Sequence, residues 1–331
     1  MYCICFTCDD RYALQVGVAI YSLYKNNQDL KEMDTIVFSD NISYESKQKL
    51  NKIADQFKRN LFYIESSDIL QFIRDKGIKS SVDEGALSTY VRLFIVDNID
   101  PKYDRVIYID ADTMTVGSIR ELVETELKQP IAAVVDIMSY EYRRQLGLGD
   151  SYYFSGGVLV IDTASWKAKD CYSIIMDEIA QSTKKYLYGD QDILNVLFKD
   201  QIAVLPLKYN LFPFYSAIKY SNLRLLIGEK AKYYSEQEYV EAKANAVIIH
   251  MAYSVADRPW MKGNINEYSA QWAEYVEKTP WKKVEYKNRK SYSRTRLMQM
   301  AYKLFGEKAV IQIERIRNNY KYKKHERTTN T

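Results

Sequence analysis

Apolar runs of strand length, at residues 2–6, 35–38, 61–64, 106–109, 131–135 and 158–161, alternate along the chain with stretches whose apolar residues recur at three and four. Strands separated by helical sequence pair most readily as parallel neighbours joined by crossovers, so this order predicts an α/β fold with a mostly parallel sheet. Within 43–57, Leu50, Ile53 and Phe57 share one helical face. Ser43 precedes them where a hydroxyl can accept from the first free N–H groups of a helix. Residues 86–96 carry Leu87, Val91, Phe94 and Ile95 at the same spacing, which predicts a helix that buries this face and delivers Arg92 from the other. Pro101, Pro130, Pro206 and Pro259 fall at or between element boundaries, where a missing N–H does least harm.

Beyond Trp260 the strand-like runs cease, and near Lys262-Gly263-Asn264 helical, basic sequence takes over. The expected organisation is a large domain over 1–263 and a helical, basic C-terminal extension over 264–331. Charge sharpens the division. The net charge of +4 conceals residues 282–327, with 15 Lys/Arg against 4 Asp/Glu, or +11, and a remainder of −7. A basic tail on an acidic body points to nucleic acid or an anionic membrane surface. In the tail Leu297, Met300, Ala301, Leu304 and Phe305 recur at helical spacing among Arg294, Arg296 and Lys303. After Gly306 the pattern resumes with Val310, Ile313, Ile316 and Tyr320 beside Lys308, Arg315 and Arg317. Two amphipathic basic helices docked on an anionic membrane are expected; packing of the same stripe on the body or on a second subunit is the alternative. No base-reading module accompanies the tail, so nucleic acid is not the expected partner.

The longest uncharged stretch, residues 12–24, is too short to span a bilayer as a helix. The start, MYCICFTCDD, has no basic region before its apolar run, unlike a secretory signal, so a cytoplasmic protein, peripheral at the inner face of the membrane, is expected. Cys3 and Cys5 fall two apart on a strand and read as core residues, since no second Cys/His pair completes a zinc site.

The sharpest chemical signal is Val106-Ile107-Tyr108-Ile109-Asp110-Ala111-Asp112, an apolar strand ending in two carboxylates. Open α/β sheets bind ligands at the carboxyl ends of their strands. Two carboxylates at such a break can reach one hard divalent cation and leave positions for phosphate oxygens. A solvated acidic turn has the same pattern. His250 follows the apolar run Ala246-Val247-Ile248-Ile249 and becomes a plausible third ligand beside such a pair, although a lone histidine there is also a common packed residue. Gly156-Gly157 directly precede a strand, which suits close approach by a substrate or a plain bulge. Asp190 and Asp192 open a helix, where acids are favoured by the dipole alone.

Taken in order, these segments resemble the family 8 glycosyltransferases. The resemblance runs from Phe6-Thr7-Cys8-Asp9-Asp10 through Ser88-Thr89-Tyr90-Val91-Arg92-Leu93, Asp110-Ala111-Asp112, Phe154-Ser155-Gly156-Gly157-Val158 and Gly189-Asp190-Gln191-Asp192-Ile193-Leu194-Asn195 to His250 and Arg258-Pro259-Trp260. Six blocks in one order cover about residues 1–263.

The resemblance implies a Rossmann-like domain of the GT-A type with a mixed, mostly parallel sheet. It also implies retaining transfer of a hexose, galactose or glucose, from a UDP-sugar to a glycan, glycolipid or glycoprotein acceptor. Asp110, Asp112 and His250 are implied as ligands of Mn²⁺, with Mg²⁺ also acceptable. Thr7 and Asp9 are implied to hold uracil and ribose, Tyr12 to stack on the base, and Arg92 and the Asp110-Ala111-Asp112 turn to meet the sugar-nucleotide. Asp136 and Ser155 are implied to line the donor-sugar and acceptor pocket, Asp190 to grip the transferred sugar and Gln191 to face the anomeric carbon.

The chain departs from the family pattern at Arg11, where a small amide is usual, at Ser155, where Asn is usual, and in the longer segment after His250, where Tyr253 replaces a glycine and Arg258 a lysine. Arginine can still bind a diphosphate bidentately. Two other readings compete: a non-catalytic nucleotide-sugar-binding protein of the same fold, and a haloacid-dehalogenase-like phosphatase. The latter usually carries its acid pair near the domain start, running into Gly-Thr, whereas here the pair continues Thr113-Met114.

Overall fold

The computed structural model describes residues 1–78, 86–182, 186–252, 254–288 and 292–329. All six apolar runs become strands of one seven-stranded sheet: β1 (Tyr2–Asp9), β2 (Met33–Asp40), β3 (Leu61–Glu65), β4 (Arg105–Ile109), β6 (Ile131–Val135) and β7 (Phe154–Asp162), joined by β8 (Ile202–Leu205). The order is β3-β2-β1-β4-β7-β6-β8. β3, β2, β1 and β4 run parallel, β7 is antiparallel to both β4 and β6, and β8 returns parallel to β6. The order of elements predicts a mostly parallel sheet, and the antiparallel β7 makes it the mixed sheet that the resemblance implies. Its central strands are buried along nearly their whole length, as expected where helices cover both faces. Cys3, Cys5, Cys8 and Cys171 are free and buried in this core.

A second, two-stranded ribbon pairs β5 (Thr113–Thr115) antiparallel with β9 (Ile248–His250), and its register sets Thr113 opposite His250. β5 begins directly after Asp112. The ribbon, and not the main sheet, therefore carries the histidine to the carboxylate pair.

The segment holding Arg92 is a 3₁₀ helix, Ala86–Phe94, where the spacing suggested an α-helix. The Thr89 carbonyl accepts from Arg92 Nε at 2.9 Å, a bond that favours the tighter turn. The helix Tyr44–Phe57 starts at Ser43, whose Oγ accepts from the Ser46 N–H.

Residues after 263 pack on the α/β body. Trp281 lies so close to Gly17 on the helix Ala13–Asn26 that a Cβ there would stand 2.6 Å from the indole. The C-terminal helix, Tyr292–Thr329, is broken at Gly306 (φ 74°, ψ −174°) into two segments. Leu297, Met300, Leu304 and Phe305 face solvent, the last at 72% exposure, as do Ile313, Ile316 and Tyr320. Val310 turns inward instead and is buried with Ile311. Among the described residues no helix is long and apolar enough to cross a membrane.

Candidate active site

The acid pair is shaped by its turn. β4 ends at Ile109, Thr113 Oγ1 donates to the Asp110 carbonyl at 2.8 Å, and the half-buried carboxylates of Asp110 and Asp112 flank Ala111. His250 arrives alongside through the β5–β9 register, its Nε2 at 3.2 Å from Asp112 Oδ1 and 3.7 Å from Asp110 Oδ2. One ligand atom from each of the three lies within 4.8 Å of the others.

The imidazole is held from behind. Asn210 Nδ2 donates to Ser155 Oγ at 2.9 Å, which leaves Asn210 Oδ1 to accept from His250 Nδ1 at 2.8 Å. Nδ1 thereby carries a proton, and Nε2 is the nitrogen that faces the carboxylates. Phe212 stacks on the ring at 5.0 Å. Burial works against protonation of this histidine, yet the Asp112 charge, the bond to Asp112 and the Asp110 charge raise its pKa above the usual value. Burial alone would raise Asp112; the His250 charge and Arg258 outweigh it and hold this carboxyl well below the ordinary range. Two carboxylates and an imidazole with a free Nε2 fit a divalent cation, with further positions open to phosphate oxygens.

Gly156 and Gly157 are the residues that allow this closeness. A Cβ on Gly157 would stand 2.5 Å from the His250 ring, and one on Gly156 2.7 Å from the Arg92 guanidinium. The space beside both glycines is filled by the chain's own side chains.

Arg92 is buried and spans two acids, Asp110 Oδ1 at 3.2 Å and Asp190 Oδ2 at 2.8 Å, while also donating to the Gly156 carbonyl. Asp190 accepts from Thr89 Oγ1 at 2.6 Å. Burial raises its pKa, and Arg92 and Thr89 offset part of the rise. The helix Asp190–Leu197 is clamped to β7 by Asn195, whose amide bonds both the N–H and the carbonyl of Phe154, at 2.7 and 2.8 Å. That clamp sets Gln191. Its Nε2 donates to Asp136 Oδ2 at 2.9 Å and Tyr153 Oη at 3.1 Å, and its Oε1 accepts from the Gly156 N–H at 2.9 Å. These partners admit only one orientation of the amide. Asp136 is raised by burial and partly lowered again by the Ile137 N–H and Gln191.

Thr7, Asp9, Tyr12 and Arg258 form a second group along the end of β1. Tyr108 Oη donates to Asp110 Oδ1 at 2.6 Å, so the Thr7 hydroxyl, 3.0 Å away, donates to Tyr108. Asp9 accepts from the Tyr12 N–H and, at 3.0 and 2.7 Å, from Nε and Nη2 of Arg11. Arg258 Nη1 donates to Tyr12 Oη at 3.0 Å, and its Nη2 lies 3.5 Å from Asp112 Oδ2. Tyr253 lies outside the described residues.

A cavity of about 440 Å³ joins Asp110, Asp136, Ser155, Asp190, Gln191 and His250. Sequence reasoning missed several of its walls, among them Phe212, Tyr188 and, from the C-terminal helix, Glu314, Arg317, Asn318 and Tyr322. It also missed Asn210 and the buried Asp192, which accepts from Tyr142 Oη and Tyr153 Oη at 2.5 and 2.6 Å. No local pattern marks Asn210; the acid-first helix turn marked Asp192 only as a dipole residue.

A model of the Glycosyl transferase family 8 matches residues 3–264. Lipopolysaccharide 1,2-glucosyltransferase of Escherichia coli strain K12 is 28% identical over 289 residues, covering 84% of this chain and 78% of that protein. Lipopolysaccharide 1,3-galactosyltransferase of Salmonella typhimurium is 28% identical over 218 residues, 62% of each chain. The solved structure of the galactosyltransferase LgtC in complex with donor and acceptor sugar analogues shares the fold at a TM-score of 0.68 and 21% identity, covering 88% of this chain and 99% of that one.

Proposed function

The chain belongs to glycosyl transferase family 8, and from that premise we propose that it moves a hexose, galactose or glucose, from a UDP-sugar to a cell-envelope glycan, glycolipid or glycoprotein, with retention and with Mn²⁺ bound. Membership sets the phosphatase reading aside. The observation that carries the proposal is the meeting of Asp110, Asp112 and His250 within 4.8 Å, with Asp110 and His250 on the wall of a cavity that also holds Asp190 and Gln191.

When bound, the cation supplies Lewis-acid charge to the leaving diphosphate in place of a general acid. Arg258, beside Asp112, adds a fixed positive charge on the same side. Asp190 grips the transferred sugar, and Asp136 and Ser155 line its pocket. Thr7, Asp9 and Tyr12 take the nucleoside, and Arg92 sets the two acids it bridges. Retaining glycosidases place a carboxylate nucleophile at the anomeric carbon. Here that position belongs to the Gln191 amide, a poor nucleophile pinned on both ends by Asp136, Tyr153 and Gly156. Front-face attack by the acceptor hydroxyl through an ion-pair-like state is therefore favoured over a stable covalent intermediate.

The exposed apolar row on the C-terminal helix, flanked by exposed Arg296, Lys303, Lys308 and Arg315, supports peripheral docking on the inner face of the cell membrane. Residues 1–263 would then form the nucleotide-sugar-binding part, with 264–331 as its basic extension. A screen of UDP-hexoses with and without Mn²⁺, following released UDP, tests the reading. Mn²⁺-dependent release from UDP-galactose or UDP-glucose is expected; none from any UDP-hexose would leave a binding protein.

A further inference from the structure

On the reading that this cavity transfers a sugar, we propose that the C-terminal helix builds the acceptor-sugar subsite, through Glu314, Arg317 and Asn318. These residues share the cavity with Gln191 and His250, yet they lie some fifty residues beyond the family match, which ends at residue 264. The residues proposed to hold the nucleoside, the diphosphate and the transferred sugar all fall within that match. A wall contributed from outside that match suits the partner that differs from enzyme to enzyme.

The helix presents two faces after its break at Gly306. Ile313, Ile316 and Tyr320 look outward, whereas Val310, Ile311, Glu314 and Tyr322 are buried. Glu314 is the acid in an otherwise apolar inward row, and its carboxylate holds Arg317 Nη1 at 2.9 Å and Nη2 at 2.6 Å. Glu314 is buried, whereas the Arg317 side chain keeps 38% of its surface exposed, so the guanidinium fixes a desolvated carboxylate from the open side. Both groups line the cavity, where a ligand can reach them. The two charges cancel, so the wall offers N–H donors beside carboxylate oxygens without net charge, and Asn318 adds one more donor and acceptor. Adjacent sugar hydroxyls, each both donor and acceptor, match that array better than a phosphate does. Tyr215 on the same cavity supplies a ring for the apolar face of a pyranose. The helix is also in register with the catalytic side. Tyr322 stacks on Tyr142 at 4.9 Å, and the Tyr142 hydroxyl bonds Asp192, next to Gln191.

The test uses the full chain, the octyl β-glucoside and octyl β-galactoside as acceptor probes, and two variants: Asn318→Ala, and the charge-neutral double change Glu314→Gln with Arg317→Gln. Saturation-transfer NMR on protein loaded with UDP and Mg²⁺ reads probe binding without turnover. Transfer kinetics with Mn²⁺ read the acceptor KM, and hydrolysis without a probe reads the UDP-hexose KM. The wild type should saturate at least one probe. Both variants should weaken that signal and raise the acceptor KM about tenfold, the loss of a hydrogen bond to a polar or charged group, with the UDP-hexose KM held within about twofold. An unchanged acceptor KM in both variants, a raised UDP-hexose KM, or no saturation of either probe by the wild type overturns the subsite. UDP release by the wild type is read independently, so failure of the glycosyltransferase reading is recognised by its own signal.

Discussion

Asn210 Oδ1 accepts from His250 Nδ1 at 2.8 Å, and this single contact decides which imidazole nitrogen faces Asp110 and Asp112. Partners of this kind change metal affinity by about 10–100-fold when removed. Asn210→Ala should therefore weaken Mn²⁺ binding by that factor, measured by EPR titration of free Mn²⁺, while Asp110→Ala, Asp112→Ala or His250→Ala abolishes metal-dependent turnover with the fold retained. Full activity in any of the last three would remove that residue from the metal site.

Gln191→Ala should slow transfer by about a hundredfold, as removal of a fixed dipole beside the reacting centre does elsewhere, with UDP affinity within about twofold. The amide is bound to Asp136, Tyr153 and Gly156. Calorimetry of UDP binding separates the cases, and a variant that loses UDP but transfers normally at saturation would show Gln191 to be a nucleotide residue.

Burial pushes the Asp192 carboxyl up to about 6, despite the bonds from Tyr142, Tyr153 and the Tyr188 N–H. Its folded-state pKa lies above the unfolded value, so its contribution to stability is fully present below about pH 4 and is lost as pH rises through about 6. The stability of the wild type relative to Asp192→Asn should accordingly fall by about 2 kcal/mol between pH 4 and 7. Urea unfolding across that range measures it; parallel curves for the two proteins would contradict the assignment.

Leu304 and Phe305 are 67% and 72% exposed, so replacing both with Glu leaves the core intact. The double variant should lose at least about tenfold in binding to phosphatidylglycerol vesicles, because each apolar side chain contributes about 1.5–3 kcal/mol on burial. Sedimentation at low salt is the assay, with phosphatidylcholine vesicles as the neutral control. Point changes are cleaner than cutting at Lys282, which would also strip Val310, Ile311 and Tyr322 from the interior. Equal pelleting of both proteins, or dimer loss in the variant without any vesicle binding by the wild type, would assign the face to something other than a membrane.

Much of this protein is legible along the chain because it is local. Five of the six strands announce themselves as apolar runs because a strand buried on both faces needs nothing else, the edge strand β3 shows the same run of Leu61 to Ile64 without being buried, and Asp110 and Asp112 stand out because they end one of the buried strands. The family resemblance is likewise a matter of short blocks in order. β8 and β5 escaped notice because they are only four and three residues long. The tertiary structure alone decided the rest. His250 meets Asp112 through the pairing of Thr113 with His250, Asn210 reaches the imidazole from forty residues upstream, and the C-terminal helix lends Glu314 and Arg317 to a cavity begun at Asp110. Periodicity records which face of an element is buried but not which distant element covers it, and beyond the local Asp110–Asp112 turn the site is assembled by such distant meetings.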